Sequence, residues 1–407
     1  MKNDKVRSRA PIIYTSFIYM MFNIAFILGD WKVGPISFSD IIVILSIIFL
    51  GFYFLDQKIN VLPFWYFIIA IFFLIYILIN IIANIFLNQT FDLIAAAISF
   101  IKLSIYLIYL ILFCSFVKST RSYNQLLTIA MYTSVIVMLI GFYIYLVLTL
   151  KLPLPYEFFW TFGRQDENSY TYYSIGTILI RARSIFNEPA HYGFYLNILM
   201  TTLLFSRFQP NKSIMALLYL SLVLTLSYSS YAIFMMVILL YNIKRFNLGR
   251  LFTDVRIYGL LLVVLGFIYF FWDMIEHVIV DRTKSITSGA DDSSSSRLAG
   301  SWDYIHLDTL FTGNGIGNAP EIFNIYAYYL TDLGLIAFIA YTVFTFLLLY
   351  YNPYVGIIFI MLNFQKGGYL AAMYWLFVTL FILMVMEYRF KGTFSEEASV
   401  EEEQLLQ

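Results

Sequence analysis

The sequence predicts an all-α, polytopic integral membrane protein. Three observations carry that prediction. Apolar runs of about 18 residues or more recur from one end of the 407-residue chain to the other. Charged residues make up only 12% of it and mean hydropathy is +0.79, whereas a soluble chain carries roughly twice that charge. Lysine and arginine are divided unequally between alternate connections. The short alternating segments of a membrane β-barrel are absent from the pattern.

About twelve spans follow in order: 12–29, 38–56, 62–87, 92–117, 124–150, 190–206, 213–227, 229–243, 255–272, 326–350, 353–365 and 369–387. The seventh, eighth and eleventh are short. The first follows the basic stretch Met1–Pro11 without a small-residue cleavage site, so a retained helix is expected. With the N-terminus inside, the inner connections hold Lys58, then Lys118 and Arg121, then Arg207 and Lys212, then Lys244, Arg245, Arg250 and Arg256, and finally Arg389 and Lys391. That inward excess sets the orientation. Lys102 falls within a span. Residues 1–407 read as one membrane domain, with a solvated, glutamate-rich cytoplasmic tail at 388–407. No internal repeat stands out. Asn88-Gln89-Thr90 fits a glycosylation triplet of a kind that arises often by chance.

Two outer segments stand against this charge bias, at 151–189 and 273–323. They hold Lys151, Arg164, Arg181, Arg183, Arg282, Lys284 and Arg297, while Lys32 and Lys366 are the other outer cations. Charge placed beside a bilayer against the usual bias points to function.

The first segment ends in Arg181-Ala182-Arg183-Ser184-Ile185-Phe186-Asn187-Glu188-Pro189-Ala190-His191-Tyr192-Gly193. Pro189 suits the first turn of a helix, with Asn187 as N-cap. Glu188 then has two readings: a carboxylate favoured by the helix dipole, or a base able to take a proton from a hydroxyl. Arg181 and Arg183, two apart in an extended stretch, share a face. Paired guanidiniums suit a phosphate or diphosphate, and the alternative is snorkelling to lipid head groups. His191 follows Glu188 by three residues on the same helix face, either as an acid–base partner or as a hydrogen-bonded structural residue. Arg164, among Gln165, Asp166 and Glu167, reads as a solvated loop charge.

The second segment carries the low-complexity run Asp291–Ser296, then Arg297, Trp302, His306 and Thr312-Gly313-Asn314-Gly315-Ile316-Gly317-Asn318. The glycine spacing lacks a βαβ context, so a nucleotide-binding reading fails. A tight turn with amide N–H groups open to an anion is expected instead. Arg297 is a third phosphate candidate or a solvated loop charge. Asp332 falls inside a predicted span, where pairing with a cation of another helix is the ordinary explanation. Ser227-Tyr228-Ser229-Ser230-Tyr231 either breaks a helix or lines a cavity.

Other chemistries are bounded by composition. A single cysteine, Cys114, excludes an intrachain disulfide and reads as an inert core residue. His191, His277 and His306 show no metal-ligand spacing. A formal net charge of zero implies no bulk attraction to nucleic acid.

The pattern Arg183-x-x-Phe186-x-Glu188-Pro189-x-x-x-Gly193, preceded by Arg181, resembles the first-loop motif of the bacterial O-antigen polymerases of the Wzy type. Arg297, Trp302, Gly313-x-Gly315-x-Gly317, Asn324 and Asp332-Leu333-Gly334-Leu335 are similar to the downstream signature shared by those polymerases and the O-antigen ligases. The architecture resembles that of GT-C-like membrane glycosyltransferases. The ligases typically carry a histidine just before the next helix, where this chain has Phe323. The resemblance implies transfer of a growing glycan from an undecaprenyl-diphosphate donor to a lipid-linked repeat unit at the periplasmic face of the inner membrane. It implies Arg181, Arg183 and Arg297 on the diphosphate, Glu188 as base with His191 in reserve, and Trp302 and Tyr192 on the glycan. The arginines would take the place of a divalent ion, so neither metal nor cofactor is expected. A chain-length regulator and a flippase are the implied partners. An O-antigen ligase acting on lipid A-core and a lipid-linked oligosaccharide flippase are the rival readings.

Overall fold

The computed structural model describes residues 12–34, 36–57, 64–156, 172–175, 177–245, 300–320, 322–365 and 368–389. Among them are twelve helices and two short antiparallel hairpins. Four of these helices have stretches long and apolar enough to cross a membrane, Phe38–Asp56, Tyr66–Leu87, Leu93–Thr120 and Tyr123–Thr149, and six other apolar helices are shorter. The chain is therefore a helical protein with membrane-spanning capacity. The predicted span 255–272 lies outside the described residues.

Local chemistry fixes the helix ends. α1 (Ile12–Ile27) leads through a hairpin, β1 (Lys32–Val33) and β2 (Ile36–Ser37), into α2 (Phe38–Gln57). Ser37 and Asp40 cap α2 reciprocally: the Ser37 N–H donates to Asp40 Oδ2 at 3.2 Å and the Asp40 N–H to Ser37 Oγ at 3.1 Å. Asp40 also takes a hydrogen bond from Tyr106 and meets Lys102 at 3.5 Å, which gives the lysine predicted within a span its counter-charge. α3 (Phe64–Leu87) leaves Ile69, Phe72, Ile79, Ile82 and Phe86 exposed, an apolar face suited to lipid. α4 (Leu93–Thr120) is capped by Asp92, whose carboxylate accepts from the Ile94 and Ala95 N–H groups. α5 (Tyr123–Thr149) follows, then the hairpin β3 (Tyr172–Ile175) and β4 (Thr177–Ile180).

α6 (Pro189–Phe205) begins with proline, as expected, but its N-cap is Glu188 and not Asn187. α7 (Lys212–Leu224) and α8 (Tyr228–Arg245) are separated by a corner at Thr225–Ser227, so the helix breaks at the edge of the serine-rich cluster, whose other residues begin α8. α6 and α8 approach closely at Gly193, where an added Cβ would lie 2.0 Å from Ser230 Oγ. Gly193→Ala is expected to cost about 1–3 kcal/mol through this clash. A lowered melting temperature in detergent, partly restored by Ser230→Gly, checks it.

The predicted span 326–350 is two helices, α9 (Ile325–Leu333) and α10 (Leu335–Tyr351). The break is at Gly334, with φ +81°, where a Cβ would lie 2.2 Å from the Phe311 carbonyl oxygen. α11 (Pro353–Gln365) and α12 (Ala372–Arg389) complete the described fold. Phe359 stacks on Phe377 with centroids 5.0 Å apart, and Phe22 on Phe113 at 4.5 Å, within the buried core.

Candidate active site at the start of α6

Residues 181–188 connect β4 to α6 and are bound along their length. The Ala182 N–H donates to Leu224 O at 2.8 Å, and Ser184 Oγ donates to Val137 O at 2.6 Å. Ser184 has φ +52°, an uncommon state for a residue other than glycine, and its hydroxyl bond holds it there. Gly141 leaves room for it, since a Cβ would approach Ser184 Cβ to 3.2 Å. Trp31 Nε1 donates to Ile185 O at 3.0 Å. The segment is thus joined to α5, to the α7–α8 corner and to the turn after α1.

The arginines are engaged separately. Arg181 is half-buried and donates from Nε to Thr225 O at 3.4 Å. Arg183 is 4% exposed and donates from Nη1 to Asn187 O at 2.9 Å. A guanidinium enclosed beside its own loop both braces that loop and keeps a positive charge under the start of α6.

Glu188 makes no side-chain cap bond, and its carboxylate is 61% exposed. Its side chain thus makes no cap, and its backbone carbonyl enters the helix, accepting from the His191 and Tyr192 N–H groups; a carboxylate at this end still meets the helix dipole. His191 Nε2 stands 4.0 Å from Glu188 Oε2, so the expected shared face is real. His191 Nδ1 is 2.9 Å from Asp30 Oδ2. That same oxygen accepts the Asn187 N–H at 3.2 Å. Asp30, 161 residues away in sequence, is the member of the cluster that the sequence reading missed.

The glycine-rich turn has a different role from the one expected. Gly313, Gly315 and Gly317 have φ of 62°, 89° and 74°. The amides do bind an anion, and the anion is Asp332. Its carboxylate accepts from the N–H groups of Gly317 (2.8 Å), Asn318 (3.2 Å) and Ala319 (3.0 Å), and from the Tyr369 hydroxyl. Four donors compensate a fully buried carboxylate in place of the expected cation. α3 supplies the rest of the support. Tyr76, Asn80 and Asn84, spaced by four along one face of α3, and Asn88 just past its end donate to the carbonyls of Leu333, Thr312 and Asn314.

α6 and α9 both reach the end of α11 and the turn that follows it. Gln365 Nε2 donates to Ala190 O at 3.4 Å and Ser230 Oγ at 3.0 Å, next to His191. Four residues later, Tyr369 holds Asp332. Asp30's neighbour Gly29 packs against Met373 at the start of α12.

The remaining candidates fall as follows. Tyr192 is 1% exposed, with its ring stacked on Phe186 at 5.5 Å, so its assignment to the glycan is corrected: it is a core residue with no face to offer a sugar. Trp302 is half-buried and packs edge-on against Phe338. His306 lies in an exposed stretch. Cys114 is buried. Arg164, Arg297 and Lys366 lie outside the described residues. Among the described residues no group of three or more His, Cys, Asp or Glu is placed to hold a metal ion. No family model, curated protein or solved structure matches the chain.

Proposed function

We propose that the chain is a membrane glycosyltransferase, a polysaccharide polymerase of the O-antigen type. It has about twelve spans and works at the periplasmic face of a bacterial inner membrane. The observation that carries the reading is the juxtaposition at the start of α6: Glu188 and His191 share a proton-accepting face on a loop that also carries Arg181 and Arg183. Glycosyl transfer from a lipid diphosphate needs both functions, a base for the attacking hydroxyl and positive charge for the leaving group. The attacking oxygen forms a bond to the anomeric carbon, the bond from that carbon to the diphosphate breaks, and undecaprenyl diphosphate leaves with the electron pair. The hydroxyl proton goes to the Glu188–His191 pair. Arg181 and Arg297 are assigned to the diphosphate, with the enclosed Arg183 adding its charge from beneath the start of α6, and Trp302 is assigned to the glycan. Metal and cofactor have no place in this scheme, and a flippase and a chain-length regulator are the expected partners.

The test is complementation of a deletion strain. Wild-type protein should restore a ladder of glycan lengths. Arg183→Ala should leave one repeat unit attached to the acceptor and none longer, with the protein still present in membranes. Loss of every attached unit would indicate a ligase. Loss of the protein would indicate that Arg183 acts only as a brace.

A further inference from the structure

We infer that Asp30 is a positioning residue: it holds His191 in the tautomer that leaves Nε2 bare and turned toward Glu188, so that Nε2 and the Glu188 carboxylate together receive one hydroxyl. The chemistry rests on the proposed glycosyl transfer, whereas the geometry stands apart from it. A carboxylate accepts hydrogen bonds and cannot donate them. With Asp30 Oδ2 at 2.9 Å, His191 Nδ1 must carry the hydrogen, which leaves the lone pair of the neutral ring on Nε2. The same oxygen takes the N–H of Asn187, the residue before Glu188. One buried atom therefore sets both the imidazole and the main chain from which Glu188 projects. Asp30 is itself fixed, because Trp31 donates to Ile185 O and Gly29 seats against Met373.

The 4.0 Å between Nε2 and Oε2 is too long for a direct hydrogen bond and leaves an intervening oxygen within reach of both. In the transfer step the hydroxyl O–H bond breaks as the new C–O bond forms, and the proton passes to Nε2. The imidazolium then lies between two carboxylates, Asp30 and Glu188, which stabilise its charge. The exposed Glu188 offers the proton a way to water.

The test is the nitrogen NMR spectrum of full-length protein labelled with ¹⁵N-histidine in lipid nanodiscs. The chain has three histidines, and His191→Gln identifies the signal. Wild-type protein should show His191 protonated at Nδ1 and bare at Nε2 when neutral. Asp30→Ala should move the hydrogen toward Nε2 and lower kcat by about tenfold to a hundredfold with KM unchanged, part of the roughly 10²–10⁴ that a positioned base contributes. Asp30→Asn, which still offers an oxygen, should lie between the two. A hydrogen on Nε2 in the wild type, or an unmoved hydrogen in Asp30→Ala, overturns the inference. The wild-type spectrum needs no Asp30 variant to fold. If it is as stated and the wild-type protein makes no polymer, the proposed function fails while the placement of Asp30 stands.

Discussion

Asp332→Asn is expected to lower the melting temperature of the folded protein clearly. Oδ1 accepts from Asn318 and Ala319, and Oδ2 from Gly317 and Tyr369. An amide can keep its oxygen on Asn318 and Ala319 and turn its NH₂ toward Gly317 and Tyr369; the Tyr369 hydroxyl can rotate to accept, but the buried Gly317 N–H is left facing a donor. At roughly 1–3 kcal/mol for an unsatisfied buried group, the loss is about 1–3 kcal/mol. That is an appreciable share of the ~5–15 kcal/mol by which domains are stable. The damage should also spread, because Asp332 joins the glycine turn to Tyr369, and Tyr369 stacks on Tyr329 with centroids 4.6 Å apart. Melting followed by size-exclusion fluorescence checks this. An unchanged melting temperature would show that the amide cradle contributes little.

Glu188→Gln carries the second large effect, on rate and not on stability, and His191→Gln should share the loss of rate while also taking a donor from the buried Asp30 carboxylate. The Glu188 side chain is mostly exposed and makes no cap bond, so neutralising it should alter stability by no more than the ~1 kcal/mol of a helix-terminus charge. Each substitution should instead lower glycosidic bond formation by about 10²–10⁴. The two residues face one hydroxyl, so their effects should not add: the double variant should be about as slow as the slower single variant. Rates measured with lipid-linked repeat units at matched protein levels decide it. Multiplying losses would indicate independent roles.

The helical fold was largely legible, and the reason is chemical. Apolar runs that begin just after Asp92 or Asn211 place α4 and α7 within a few residues, because those side chains cap the helix starts. The predicted span 326–350 failed at Gly334: its flanks are apolar on both sides, so hydropathy averages across a break that a backbone contact dictates. The partners of Asp332 were illegible for a related reason. They are mostly amide groups, and an amide N–H carries no letter in the sequence. The period-four row Tyr76, Asn80, Asn84 and Asn88 was a signal open to reading, since asparagines in an apolar helix mark carbonyls in need of donors. Glu188 and His191 were found together because three residues on a helix fix their proximity. Asp30 escaped because its meeting with His191 depends on how α1 and α6 pack, and Tyr192 was misplaced because its ring turns inward onto Phe186.

The most direct measurement of the central claim uses purified protein in vesicles with undecaprenyl-diphosphate-linked repeat units. Released lipid diphosphate and new glycosidic bonds are counted in one reaction. Equal numbers of both are expected, with products of several repeats, and both should fall together by about 10²–10⁴ with Glu188→Gln/His191→Gln. Repeat units left intact, or merely moved between leaflets, would contradict that claim.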